Sequence, residues 1–388
     1  MSRPLQVGLV AGEASGDLLG AALMKALREK VPGVRFTGLT GAHMRAAGCE
    51  SLGDCSELAV MGLVEPLRHL PRLMRLRASL RREFLRRQID VFVGVDAPAF
   101  NLGLARALRG KGVITAQYVS PQVWAWRPGR VPKIAASVDA VLCLLPFEPQ
   151  CYAGQPVHAQ FVGHPLADQI PLVVNGAAAR AELGIEPAAR VLAILPGSRR
   201  GEVARLAGEF AGAAELLAQE FPGLVSIAPM VTPALRDTFA AQCAQRAPHA
   251  AIRMLDGNAR LALSAADVVL VASGTATLEA ALCKRPMVVA YKLGAITAFL
   301  LKQLGLVKVK YFSQPNLLAG TGLVPEFFQA DANAANLATA LARWLKRPDE
   351  VAQLQQQYTA IHEKLRCNGA ERAANEIGEL LSAWTAQA

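Results

Sequence analysis

Aromatic residues, long apolar runs and paired cysteines are all scarce in this sequence, and each shortage removes a class of function. Phe, Trp and Tyr make up only 6% of the 388 residues. That is too few for the interleaved stacking surface of a single-strand binder, so nucleic acid is the weakest candidate among anionic partners and none is expected. The apolar runs fall well short of the roughly 20 residues needed to cross a bilayer. Val7–Ala11 leads straight into Glu13 and Asp17 and is too short for the core of a secretory signal peptide. Seven cysteines (Cys49, Cys55, Cys143, Cys151, Cys243, Cys283 and Cys367) form neither a CxxC pair nor a zinc-spaced set with histidine. They read as reduced, mostly buried thiols of a cytosolic protein. A GxGxxG loop, a Walker A lysine and a GxSxG elbow are also missing.

What is present describes a folded chain with an appetite for anions. Hydrophobic residues make up 52% and charged residues 19%, and 41 Lys+Arg against 31 Asp+Glu give a net charge of +10. The length implies two domains. The charge suits a phosphorylated small molecule or an acidic membrane surface.

The stretch Val191–Leu206, VLAILPGSRRGEVARL, is the most informative. Val191–Leu195 has the character of a buried parallel strand. Pro196 and Gly197 stop it, Ser198 is a suitable N-cap, and Glu202 begins a helical run. A helix N-terminus and Arg199 and Arg200 then lie past the carboxyl end of a strand, where open α/β sheets bind ligands and where backbone N–H and guanidinium groups suit phosphate.

Strands alternating with helices recur on both sides of this stretch. In the first half they are Leu5–Ala11, Val34–Leu39, Asp90–Val95, Val113–Val119, Asp139–Leu144 and Val157–Phe161. In the second they are Val191–Leu195, Val225–Met230, Ile252–Leu255, Val268–Val271 and Met287–Ala290, after a linker at Pro165–Ala181. The expected class is α/β, with two doubly wound parallel-sheet domains facing across a cleft. Chemistry-bearing residues cluster at strand ends. Gly12 and Gly16 in GEASGD let a group approach the backbone closely, with Glu13 and Ser15 beside them. Asp96 ends the strand VFVGV, either as N-cap of the helix Ala99–Leu108 or as a base. Trp124 and Trp126 follow Val113–Val119 and line a cleft or pack below one. Ser273, Gly274 and Thr275 open a helix after Asp267–Val271 as a phosphate cradle, and Glu279 lies one turn on, able to face the same ligand or solvent. Asn316 follows a proline break as a candidate polar contact, whereas His164, before Pro165, reads as a turn cap. Leu73, Leu76, Leu80 and Phe84 mark one face of a helix rich in arginine, opposed only by Glu65 and Glu83. That helix is either a membrane-docking element or a core-packed helix with a solvated basic face.

Assembled, the motifs VAGEASGD (10–17), ELAVMGLVE (57–65), VFVGVDAPAFN (91–101), YVSPQVWAW (118–126), LPFE (145–148), GHPLAD (163–168), LPGSRRGEV (195–203), ASGTATLE (272–279) and PNLLAG (315–320) resemble the lipid-A-disaccharide synthases, inverting glycosyltransferases of GT-B architecture, over nearly the full length. The resemblance implies a hexosyltransferase of lipid A (lipopolysaccharide) biosynthesis. It would move 2,3-diacylglucosamine from UDP-2,3-diacylglucosamine to 2,3-diacylglucosamine 1-phosphate, without cofactor. It implies Asp96 as base and Arg199 with the Gly274–Thr275 helix start as stabilisers of the departing UDP. Glu279 would bind ribose, Asn316 and Ser273 the donor, and Glu13 and Ser15 the acceptor side. No acidic pair with DxD spacing is placed to hold a metal, in keeping with a metal-independent transferase. Residues 1–168 with 346–388 would form the acceptor domain and 169–345 the UDP-sugar domain, the C-terminal helices returning to the first. Because both substrates carry acyl chains, Met61, Leu63, Val64, Leu67, Arg68, Leu70, Arg72 and Arg75 are expected to dock on the anionic cytoplasmic face of the inner membrane. The alternatives are a nucleotide-sugar epimerase and a non-catalytic UDP-lipid binding protein.

Overall fold

The computed structural model describes residues 3–59, 66–126, 128–294 and 310–387, with side chains described for these residues except 59, 66–69, 125, 126 and 383–387. The chain divides into two compact units, Met1–Asp168 with Leu365–Ala388, and Gln169–Lys364.

The first unit is built on strands β1 (Gln6–Val10), β2 (Arg35–Thr40), β3 (Glu50–Asp54), β4 (Val91–Gly94), β5 (Ile114–Tyr118), β6 (Ala140–Cys143) and β7 (His158–Phe161). Among the described residues they form one parallel sheet in the order β3-β2-β1-β4-β5-β6-β7. Alternate residues face opposite sides of a strand. Val7, Leu9, Val91, Val93 and Ala116 therefore pack with Leu23 and Leu27 of the helix Ala14–Lys30 on one side. Phe92 and Val141 pack on the other with Leu73, Leu80 and Phe84 of the helix Pro66–Arg86 and Phe100 and Leu104 of the helix Pro98–Arg109. The helical face read from Leu73, Leu80 and Phe84 is thus a core face.

The C-terminal helix Gly369–Gln387 returns to this unit, burying Ala373, Ala374 and Ile377 in the first of those cores. Asp168 of GHPLAD fixes its start by accepting from the main-chain N–H groups of Asn368 and Gly369 at 2.9 and 2.7 Å. The preceding helix, Pro348–Leu365, goes with the second unit almost to its end, where the sequence reading put it with the first. Gln355 Nε2 donates to the carbonyl of Lys284, a bond that a hydrophobic pattern does not reveal.

The second unit contains β8 (Val191–Leu195), β9 (Val225–Met230), β10 (Ile252–Asp256), β11 (Val268–Ala272), β12 (Met287–Tyr291) and β13 (Glu326–Phe328). Among the described residues these make a parallel sheet ordered β10-β9-β8-β11-β12-β13. Strands β3 and β13 are edge strands without a continuous apolar run, and the apolar pattern gives no sign of them. In both sheets the strand order reverses once, between β1 and β4 and between β8 and β11. In open α/β sheets such a switch point is where ligands bind, outside the carboxyl ends of the strands. No helix among the described residues is long and apolar enough to cross a membrane.

Candidate functional site

The loops after β1 and β4 meet at the first switch point, and what joins them is Asp96. Its carboxylate does not cap the helix Pro98–Arg109, whose N-cap is Ala97. It turns back instead and accepts from the N–H of Gly12 at 2.5 Å. Glycines are required here for a steric reason. A Cβ on Gly12 would lie 2.9 Å from Asp96 Oδ1, and one on Gly16 would lie 2.2 Å from Asp96 Oδ2. The close approach that GEASGD permits is therefore the approach of this carboxylate. Asp96 Oδ2 is buried without a partner. Burial, offset in part by the Gly12 N–H and reinforced by the charge of Glu13, pushes the Asp96 carboxyl up to about 7. A carboxyl so tuned can gain or lose a proton at neutral pH.

The other polar residues singled out in the first unit divide into exposed groups and buried scaffolding. Glu13 and Ser15 are exposed at the start of the helix Ala14–Lys30, with Ser15 Oγ donating to Glu13 Oε1 at 2.6 Å. Asp17, in the same motif, is structural. Its buried carboxylate accepts from the N–H groups of Gly41, His43 and Met44 at 2.7, 2.7 and 3.0 Å, capping the helix Ala42–Ala46. After β5, Trp124 stands edge-on to Phe147 with ring centroids 5.4 Å apart and donates from Nε1 to Glu148 at 3.3 Å. Glu148 also accepts from the N–H groups of Leu144 and Leu145, and burial pushes its carboxyl up to about 7. Trp126 lies outside the residues with described side chains. His164 Nδ1 accepts from the N–H of Leu166, a turn cap as its sequence context suggests.

At the second switch point the two helix starts differ. Gly197, at φ 121°, makes the turn after β8 and leaves room for Glu202 to fold back. The Glu202 carboxylate accepts from the N–H groups of Ser198 and Arg199 at 3.3 and 3.4 Å and pairs with Arg199 Nη1 at 3.0 Å. The N-cap of the helix Arg200–Glu220 is accordingly Arg199, not Ser198: the carboxylate of Glu202 takes the N–H groups that a serine hydroxyl would have served. Arg199 itself is 77% exposed on its side chain. The helix Thr275–Leu282, after β11, starts at Gly274 with no side-chain cap. Helix starts leave their first N–H groups without intrahelical partners, which is what a phosphate cradle requires. Ser273 Oγ donates to the carbonyl of Phe312 at 2.9 Å. Glu279, half-buried, is pushed up by burial, with Arg260 opposing the shift.

Asn316 is not free to contact a ligand. It is 1% exposed, its Oδ1 accepts from the N–H of Val324, and its Nδ2 donates to the Val324 carbonyl and to Glu326 Oε1. Glu326 also accepts from the N–H groups of Phe312 and Ser313 and from Ser313 Oγ. Asn316 and Glu326 together therefore hold the loop that carries Phe312. Phe312, Tyr291 and Phe328 form a ring cluster with centroids 6.1 to 6.2 Å apart. Neither Glu326 nor this cluster carries a sequence signal, because each sits on an isolated residue of an edge strand or loop.

The arginine helix is less free than its composition implies. Arg72 pairs with Glu57 at 3.2 Å, and Arg86 and Arg87 pair with Glu83, Arg87 also with Glu50. Arg77 packs over the Phe100 ring at 5.0 Å and donates to the carbonyl of Ala99. Leu70, Met74, Arg75, Arg81 and Arg82 are exposed. Met61, Leu63 and Val64 lie outside the described residues, and the side chains of Leu67 and Arg68 do as well.

The desolvation of the Asp96 carboxyl makes stability depend on pH. Its folded value lies above the ordinary carboxylate value, so the folded chain binds the proton more tightly than the unfolded chain. Stability is then lost as pH rises from the ordinary value toward about 7. Asp96→Asn removes the ionisation. At pH 8 the variant is expected to be more stable than the native protein by a few kcal/mol at most, with the gap closing near pH 4. Urea unfolding at the two pH values measures it, and equal gaps at both would contradict it.

Against known proteins, the family model for lipid-A-disaccharide synthetase matches residues 7–377. A lipid-A-disaccharide synthase of Xanthomonas campestris pv. campestris is 50% identical over 381 residues, covering 98% of this chain and 87% of the relative. One from Xylella fastidiosa is 48% identical over 97% of this chain and 98% of its own. Among solved structures, a UDP-GlcNAc 2-epimerase from Neisseria meningitidis bound to UDP-GlcNAc aligns with a TM-score of 0.64 at 11% identity, over 98% of this chain and 100% of its own. A glycotransferase of kitacinnamycin aligns at 0.62 and 17% identity, with the same coverage. At such identities the structural likeness shows the fold, two Rossmann-like domains of GT-B type. The match to the family model and the identity to these relatives, both over nearly the whole chain, show more: the chain belongs to the lipid-A-disaccharide synthetase family.

Proposed function

We infer that the chain catalyses the reaction for which its family is named. It transfers 2,3-diacylglucosamine from UDP-2,3-diacylglucosamine to 2,3-diacylglucosamine 1-phosphate, forming the β-1′,6-linked disaccharide 1-phosphate and UDP. The observation that carries the mechanism is the half-buried Asp96, with one carboxylate oxygen unpartnered at a switch point. The acceptor hydroxyl oxygen attacks the anomeric carbon of the donor and its proton passes to Asp96. The bond from that carbon to the diphosphate oxygen breaks, and UDP leaves with the electron pair. Charge growing on the diphosphate is met by the uncapped N–H groups at Gly274–Thr275 and by Arg199, once its guanidinium leaves Glu202 for the stronger anion. Glu279 receives the ribose hydroxyls, Ser273 borders the diphosphate, and Asn316 holds the donor loop through Val324 and Glu326 rather than touching the sugar. Glu13 and Ser15 face the acceptor. A non-hydrolysing epimerase would have no use for an acceptor lipid.

We place the anionic cytoplasmic face of the inner membrane against the exposed side of the helix Pro66–Arg86. Leu70 and Met74, 50% and 53% exposed, supply apolar surface at helical spacing, and Arg75, Arg81 and Arg82 supply charge. The segment Met61–Arg68, with Leu63, Val64 and Leu67, leads into this helix in the sequence and is mostly apolar in composition. Arg72 contributes less, because Glu57 already neutralises it.

Two measurements test this reading. UDP release from the diacylglucosamine donor is expected to require the monosaccharide 1-phosphate acceptor and to survive EDTA. Release without acceptor, or bound donor that never turns over, would contradict it. Vesicles of phosphatidylglycerol are expected to carry the protein upward in a density gradient at low salt and to lose it at high salt. Arg75→Glu with Arg82→Glu should abolish the flotation while leaving UDP binding intact. Flotation unchanged by salt and by both substitutions would refute the docking face.

A further inference from the structure

The segment Val91–Asn101 contains more polar machinery than Asp96 alone. Beyond β4 the main chain passes through Ala97 at φ 42°, and beyond the adjacent β5 through Val119 at φ 76°. Neither residue is glycine, and valine is β-branched, so both turns hold a left-handed conformation that their side chains oppose. Such turns persist only where the surroundings fix them.

Two buried amides lie between these turns. Asn101 Nδ2 donates to the carbonyl of Asp96 at 2.6 Å and to that of Val10 at 3.2 Å. Gln117 Nε2 approaches three carbonyls, of Asp96 and Tyr118 at 3.2 Å and of Val119 at 3.4 Å. The main-chain oxygen of Asp96 is the point where the two amides meet. Asn101 is 0% and Gln117 1% exposed. Gly94 makes the space: a Cβ there would stand 2.6 Å from Asn101 Cβ and 3.0 Å from Gln117 Oε1.

Apolar residues would fill these positions at lower cost. The helix Pro98–Arg109 buries Phe100, Leu102, Leu104, Ala105 and Leu108 around Asn101, and β5 is otherwise buried throughout. Asn101 Oδ1 is left without a partner in that setting, a desolvation cost that packing alone does not explain. The donors explain it, because both amides spend them on the ends of the strands that form the site.

We propose that Asn101 and Gln117 are positioning residues for the transfer reaction. They clamp the main-chain carbonyl of Asp96, and the turns at Ala97 and Val119 with it, so that the Asp96 carboxylate stays seated against Gly12 and Gly16. The inference rests on the reading of Asp96 as the base.

The test compares the native protein with Gln117→Met and Asn101→Leu, which keep bulk and remove the donors. Gln117→Glu, of the same length, takes their place if either fails to fold by thermal melting. Steady-state rates are read together with the titration of the Asp96 carboxyl, followed by carbon-13 NMR on labelled aspartate and identified by its loss in Asp96→Asn. A misplaced base is expected to lower kcat roughly 100-fold while KM for the UDP-sugar stays within about twofold. The Asp96 titration is expected to move down toward the ordinary carboxylate range as the carboxylate loosens into water. A kcat within about twofold of native would overturn the proposal. So would a reduced kcat with an unmoved Asp96 titration, which is what a merely structural role produces. If the native protein itself shows no acceptor-dependent turnover, the reading of Asp96 as base falls, and the titration alone still decides whether the amides hold the carboxylate.

Discussion

The Asp96 carboxylate lies where side chains on Gly12 and Gly16 would have to be, and the Gly12 N–H and the amides of Asn101 and Gln117 bond to the same residue. The loop after β1 must be nearly bare to admit it. The carboxylate meets a backbone N–H on one oxygen and nothing on the other, so it is a poorly solvated acid at the edge of a sheet. That arrangement costs stability and raises proton affinity together. Both follow from one desolvation, and a base for a sugar hydroxyl near neutral pH needs the second of them.

The second unit solves a different electrostatic problem at the same topological position. Two helix starts flank its switch point, and the chain treats them in opposite ways. Glu202 closes the one after β8, accepting from the N–H groups of Ser198 and Arg199 and pairing with the Arg199 guanidinium. The one after β11 is left open at Gly274. On the proposed reading, a diphosphate at the open start draws Arg199, whose side chain is 77% exposed, away from Glu202, because a doubly charged anion is a stronger partner for a guanidinium than one carboxylate. The proposed donor site thus has one fixed donor set and one charge free to move.

The sequence announces some of this and conceals the rest for physical reasons. Central strands such as Val191–Leu195 and Val268–Ala272 are buried on both faces and show as unbroken apolar runs. Edge strands at Glu50–Asp54 and Glu326–Phe328 are half-exposed and do not. Asp96, Gly12 and Gly16 stand out because a carboxylate and bare backbone at strand ends are unusual in themselves. The proline break before Asn316 marks a loop, but nothing in the sequence tells that its amide faces Val324 and Glu326. Gln117 is a single amide inside a β-strand, and nothing in its neighbours' identities announces three carbonyls within reach. The arginine helix misleads in the other direction, because Glu50 and Glu57, distant along the chain from some of their partners, neutralise charges that composition counts as free.

The pH dependence of kcat/KM for acceptor-dependent UDP release tests the central claim most directly, because it reports the ionisation of the base in the free enzyme. With Asp96 as that base, the rate rises through a limb near pH 7, the value to which burial has pushed its carboxyl. The residual activity of Asp96→Asn, measured where its affinity for UDP is unchanged, loses that limb. A rising limb in the ordinary carboxylate range, or one near 7 that survives in Asp96→Asn, would mean that the proton goes elsewhere and would contradict the account.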